Sequence, residues 1–159
     1  MNLQSAQPLA WRALALLSLL TLTSHATAQT RVDEPWVRAT VPGQPATGAF
    51  MTLTASVDSK LVGVQSEAAK SAQIHRSSTA NEVMRMEHVD GLDLPAGVPV
   101  KLDPQGYHIM LMGLAGQVKE GDKVALELTV EATDGTQEAI EVLAPVRALN
   151  GHAGHSGAH

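Results

Sequence analysis

The chain has 159 residues, enough for one domain, a formal charge of −5 at neutral pH, and no cysteine. The acidic balance argues against nucleic acid or an anionic membrane surface as partner, and an aromatic content of 3% offers no stacking platform for bases or sugars. Without cysteine there is no disulfide framework, no thiolate metal site, no Cys nucleophile and no blue-copper centre, so any metal must be held by His, Met or carboxylates.

The first segment reads as a secretory signal peptide. Arg12 precedes an apolar run over 13–22, and Ala26-Thr27-Ala28 has the small-x-small form of a cleavage site. The run is too short to span a bilayer as a permanent helix. Cleavage after Ala28 is expected to leave 159 − 28 = 131 residues exported to the periplasm, with no membrane insertion thereafter. It removes one cation, Arg12, and no acids, so the formal charge becomes 10 − 16 = −6. A domain of that size can bury a sufficient core without disulfides.

Residues 29–34 read as a polar lead-in and Trp36-Val37-Arg38-Ala39 as a first short strand, followed by the turn Pro42-Gly43-Gln44-Pro45. The stretch 49–55 alternates, with Ala49, Met51 and Leu53 on one face. Residues 61–65 and 72–77 read as further strands, Ile74 and His75 facing opposite ways. Over 82–89, Met84, Met86 and His88 share one face at period two. Asp90-Gly91 is a turn, Leu94-Pro95-Ala96-Gly97 a loop, and 98–102 a strand whose Pro99 suggests an edge.

Asp103-Pro104-Gln105-Gly106 then turns the chain into Tyr107-His108-Ile109-Met110-Leu111-Met112. Ile109 and Leu111 take the core face there, and His108, Met110 and Met112 the other. The clearest half-buried strand is 124–131, with Val124, Leu126, Leu128 and Val130 inward. Thr133-Asp134-Gly135 leads into 137–146, which alternates through Ile140, Val142 and Ala144. No stretch after residue 28 sustains an amphipathic helix. The expected fold is a single all-β domain, a Greek-key β-sandwich or barrel of cupredoxin- or immunoglobulin-like form, over 29–149. Residues 150–159, with no core-forming side chains, are expected to be a flexible His-rich tail.

An imidazole followed by two thioethers is an odd strand face. A second apolar face would more readily use Val or Ile, whereas imidazole beside thioether is a ligand set for a soft metal, above all Cu(I). Taken singly the residues have ordinary readings. Met51 belongs in the core, Met84 and Met112 fill core gaps, and His88 sits at the surface or rim. Spacing alters the weighing: ten residues separate His75 from Met86, twenty-one separate Met86 from His108, and one separates His108 from Met110.

That pattern, H-x10-M-x21-H-x-M, is filled at every position, and here the chain resembles the periplasmic PCu(A)C copper chaperones. Further matching segments are Trp36-Val37-Arg38-Ala39 with Gly48-Ala49-Phe50, Met84-Arg85-Met86, Leu94-Pro95-Ala96-Gly97 and the run from His108 to Leu114. So is the closing part from Gly121-Asp122-Lys123-Val124 to Pro145-Val146, which makes the similarity span roughly residues 33–147. The resemblance implies that His75, Met86, His108 and Met110 converge on one Cu(I). It also implies delivery towards the dinuclear copper centre of cytochrome c oxidase subunit II, alongside Sco-type thiol proteins, by ligand exchange rather than as an enzyme. A monomer is expected.

Zinc, which prefers N, O and thiolate donors, fits two methionines poorly. The tail histidines His152, His155 and His159 could add a Cu(II) site, since Cu(II) favours imidazole nitrogen. The competing functions are general copper tolerance or scavenging, a copper oxidase or hydrolase, and a metal-free interaction module. A hydrolase lacks its Ser-centred elbow here. A metal-free sandwich predicts His and Met residues scattered over the surface.

Overall fold

The structure, a computed structural model, describes residues 29–148. The signal peptide with its cleavage after Ala28, and the tail with His152, His155 and His159, lie outside the described residues.

Ten strands and no helix make up the described residues: β1 Thr30–Arg38, β2 Ala46–Ala55, β3 Ser59–Gln65, β4 Ala69–Ala80, β5 Val83–His88, β6 Leu92–Leu94, β7 Val100–Leu102, β8 Tyr107–Leu114, β9 Lys123–Ala132 and β10 Gln137–Arg147. They hydrogen-bond in the order β5-β4-β8-β2-β1-β10-β9-β3-β6, with β7 pairing β2 beside that path. All pairings are antiparallel except β1 with β10, where Val37 lies against Val146. This parallel pair joins two half-sheets, and their inner faces share one core of Val37, Leu53 and Ile109 from one half with Leu61, Leu126 and Leu128 from the other. The fold is therefore all-β and sandwich-like, as the alternation requires.

Local sequence explains the pairings. In β9, Val124, Leu126, Leu128 and Val130 are buried while Lys123, Ala125 and Glu127 are exposed, so one face is fixed to the core and the register cannot slip. The β9–β10 turn is closed by an Asp134 carboxylate accepting the Thr136 amide at 2.9 Å and by Gly135 at φ 85°, a left-handed conformation that favours glycine. Pro99 stands just before β7, which hydrogen-bonds to β2 alone.

Two expectations are corrected. Residues 30–34 are not a loose lead-in but the first half of β1, with Thr30 opposite Ala55 and Val32 opposite Leu53. The polar look of this segment comes from its outward face, where Arg31 and Asp33 pair at 2.8 Å. A bulge between Asp33 and Trp36, with Glu34 at φ 49°, also breaks the period that a sequence reading would follow. Met84 does not fill a gap in the core: it is 60% exposed on β5, an edge strand in which all six residues are exposed. β5 returns from β4 through the two-residue turn Asn81-Glu82, both at positive φ (52° and 62°), the handedness that two-residue hairpins require.

Candidate metal centre

Strand β8 lies between β4 and β2, with β5 one strand further out. Ile109 and Leu111 are fully buried in the core, which turns His108, Met110 and Met112 to the opposite face of the sheet. Register then decides their neighbours. His75 on β4 stands opposite His108 on β8 and opposite His88 on β5, while Met110 pairs with Gln73 and with Gly48 of β2. Met86 pairs with Ser77, two residues along β4 from His75 and on the same face.

All four sequence-predicted residues thus share one face of three adjacent strands. Met86, His108 and Met110 also line one open cavity of about 130 Å³, with Arg38, Gly48 and Phe50 in its walls. His75 is not in that wall, but its ring centre lies 5.9 Å from that of His108. Met112 sits one step along β8, opposite Ser71 and Ala46, outside the cavity. A wider hollow of about 710 Å³ beside β3, β9 and β10 is lined by Glu67, Glu127 and Glu141 and has no imidazole or thioether, so size does not locate the soft donors.

Both candidate imidazoles have one nitrogen committed and one left over. His108, 3% exposed, lies with Nδ1 3.2 Å from the Gly106 carbonyl; a carbonyl only accepts, so Nδ1 carries a proton and, in the neutral ring, Nε2 keeps the lone pair. His75 approaches Gln73 Oε1 through Nε2 at 3.1 Å, which leaves Nδ1 buried without a protein hydrogen-bond partner. Burial first, then the neighbouring imidazoles of His108 and His88, hold the His75 pKa below its ordinary value. His75 is therefore neutral at physiological pH, the form that binds metals.

No group of three or more His, Asp or Glu side chains gathers to hold a metal among the described residues. The available donors are neutral imidazole and thioether, a set that suits Cu(I) and not a hard dication. The Arg38 guanidinium, also in the cavity wall, repels a divalent ion twice as strongly as a monovalent one at the same distance.

Sequence reasoning missed the aromatic backing of this site. Rings run from Trp36 to Phe50 (4.5 Å between centres), on to His108 (6.3 Å), His75 (5.9 Å) and His88 (6.1 Å). The Arg38 guanidinium lies 5.5 Å from the centre of Phe50, and that of Arg147 5.4 Å from the centre of Trp36. Gly48 is what lets Phe50 lie flat: a Cβ there would stand 2.6 Å from the ring's ζ carbon. Gly48→Ala is expected to push the ring towards the cavity, costing about 1–3 kcal/mol of stability and weakening metal uptake. Urea unfolding checks the first effect, and an unchanged midpoint would show that the ring has room elsewhere.

Residues 30–146 match the family model LpqE-like, described as "Putative lipoprotein LpqE-like". The chain is 34% identical over 122 residues to the "Putative lipoprotein Lxx21020" of Leifsonia xyli subsp. xyli (strain CTCB07), covering 76% of this chain and 71% of that protein. In fold it is similar to the copper-bound PCuAC domain from PmoF2, with a TM-score of 0.59, 22% identity, and 75% of this chain and 92% of that one covered. It is also similar to the solution structure of CuI-DR1885 from Deinococcus radiodurans, with a TM-score of 0.55, 33% identity, and coverage of 78% and 83%.

Proposed function

The chain belongs to the LpqE-like family and has the fold of PCuAC domains, and from that premise we propose that it is an exported copper chaperone holding Cu(I) through His75, Met86, His108 and Met110. The observation that carries this reading is the meeting of Met86, His108 and Met110 in one open cavity, with His75 beside His108. A metal-free interaction module would have no reason to collect two imidazoles and two thioethers on one sheet face. The copper named in the structures of PmoF2 and DR1885 supports the same ion here, and the lipoprotein description of the Leifsonia relative supports export.

The mechanism is ligand exchange. Thioethers hold Cu(I) less tightly than thiolates and survive an oxidising compartment unpaired. Met86, 54% exposed on the edge strand, is the first ligand to leave, and His108, almost wholly buried, outlasts the two thioethers. An acceptor thiolate or imidazole therefore enters from the β5 side. The acceptor proposed is the copper centre of cytochrome c oxidase subunit II, with Sco-type proteins as co-workers.

X-ray absorption of the anaerobically Cu(I)-loaded protein tests the ligand set. A first shell containing both nitrogen and sulfur is expected, with the sulfur contribution halved in Met110→Ala. A shell of nitrogen and oxygen alone overturns it. The target is read separately, by deleting the gene and measuring oxidase activity at limiting and replete copper. A deficit at limiting copper, relieved by excess, is expected. Unchanged oxidase activity with raised copper sensitivity would instead point to copper tolerance.

A further inference from the structure

Three imidazoles, not two, stand in a row on this face. His88, opposite His75 in the β4–β5 ladder, lies with Nε2 3.5 Å from the Asp90 carboxylate, and its Nδ1 has no hydrogen-bond partner among the described residues. His75 and His108 each have one ring nitrogen hydrogen-bonded to an acceptor oxygen, at 3.1 and 3.2 Å, whereas His88 has the longer contact to Asp90. A ring N–H held by a carboxylate or carbonyl is the usual outer support of a metal-bound histidine, because it fixes the tautomer and the ring orientation.

Spacing agrees. One ion held end-on and near-linearly by two imidazole nitrogens at about 2.0 Å each keeps the ring centres roughly 6 Å apart. The observed separations are 6.1 Å for His88–His75 and 5.9 Å for His75–His108. The three rings do not close on a single point, since no trio of His, Asp or Glu converges among the described residues. They form two successive pairs that share His75. Exposure rises along the row, from buried His108 through half-buried His75 to His88, whose side chain is 52% exposed.

Building on the copper-chaperone reading, we propose that His75 and His88 form an outer two-imidazole copper station. Cu(I) passes through it between the solvent edge of β5 and the inner cavity of Met86, His108 and Met110. The ion stays on His75 and trades the inner donors for His88, so it never crosses the gap uncoordinated. No electron moves in this step, and only metal–ligand bonds are exchanged.

The test uses the full chain loaded with one equivalent of Cu(I) under anaerobic conditions, with a chromophoric bidentate Cu(I) chelator as acceptor. Equilibrium competition reads affinity, and stopped-flow absorbance reads the transfer rate. His88→Ala is expected to leave affinity within about threefold of the unmodified chain. The transfer rate should fall by about tenfold or more. His88→Met, which keeps a soft donor, should recover most of the lost rate, which a merely structural role of His88 would not allow.

In imidazole ¹⁵N spectra, chelator at sub-saturating amounts should broaden or shift His88 Nδ1 together with the His75 ring. A His88→Ala transfer rate within about twofold of the unmodified chain overturns the outer station, as does an affinity loss equal to that of His108→Ala. The two readings fail differently. An unmodified chain that takes up no Cu(I) removes both, whereas one that binds Cu(I) and loses it on His108→Ala, with His88→Ala silent, removes only this one.

Discussion

Replacing His108 by alanine is expected to weaken Cu(I) binding by more than about 100-fold, or about 2.8 kcal/mol. Changing only the outer support of a metal ligand costs 10- to 100-fold, and His108 is proposed as the ligand itself. It is also the only proposed ligand almost wholly buried, with its tautomer set by Gly106, so water cannot readily replace it. Met110→Ala should follow with a smaller loss. Met86→Ala should cost least, roughly tenfold, because a half-exposed side chain on an edge strand spends entropy to reach the ion. Anaerobic competition titration measures all three. Affinity equal to that of the unmodified chain in both His108→Ala and Met110→Ala would sink the assignment. Met51→Leu is the control: it removes a thioether buried in the core, where volume is nearly conserved, and should leave copper affinity unchanged.

Leu111→Ala is expected to be the most damaging apolar truncation near the site, lowering stability by about 3–5 kcal/mol. Leu111 is fully buried and sits on β8 between Met110 and Met112, so the strand that presents the soft donors is anchored by its other face. For a domain of this size such a loss corresponds to a drop in unfolding midpoint of roughly 10–20 °C. Copper loading should return part of it, about 2.7 kcal/mol when free ion stands at a hundred times its dissociation constant. Thermal and urea unfolding of apo and loaded protein give both quantities. A cost below about 1 kcal/mol would mean that Leu111 does not anchor the strand. Recovery by copper also separates this variant from His108→Ala, which should gain almost nothing from the metal.

The two periods of the β8 stretch were legible without coordinates, because Ile109 and Leu111 cannot face the core without sending His108 and Met110 the other way. The ten-residue gap between His75 and Met86 has a plain structural meaning once the hairpin is known. The chain finishes β4, turns through Asn81-Glu82 and comes back along β5, setting Met86 beside Ser77 on the face of His75. In the sequence that gap is a pattern only, since pairing across strands is a long-range choice and a slip of one residue would send Met86 to the other face. Met84 shows the complementary failure. Its period-two spacing is the same whether the strand is covered or at the edge, and coverage is decided by the order of strands in the sheet. His88 has the sequence setting of a surface or rim residue and is exposed, but its place opposite His75 comes only from the register.

Among the described residues β5 has a hydrogen-bonded neighbour on one side only, and that single seam to β4 gives the hairpin a freedom the central strands lack. An ion held by the proposed ligands Met86 and His108 would strap β5 to β8 across β4, tying together strands that do not pair with each other. By reciprocity, whatever free energy the ion adds to keeping this flap shut is the same free energy that prising the flap open subtracts from the ion's hold. Residence time would then depend on the breathing of an edge hairpin as well as on bond strength. A partner that peels or extends β5 along its bare side could unload the metal without ever competing for it donor by donor.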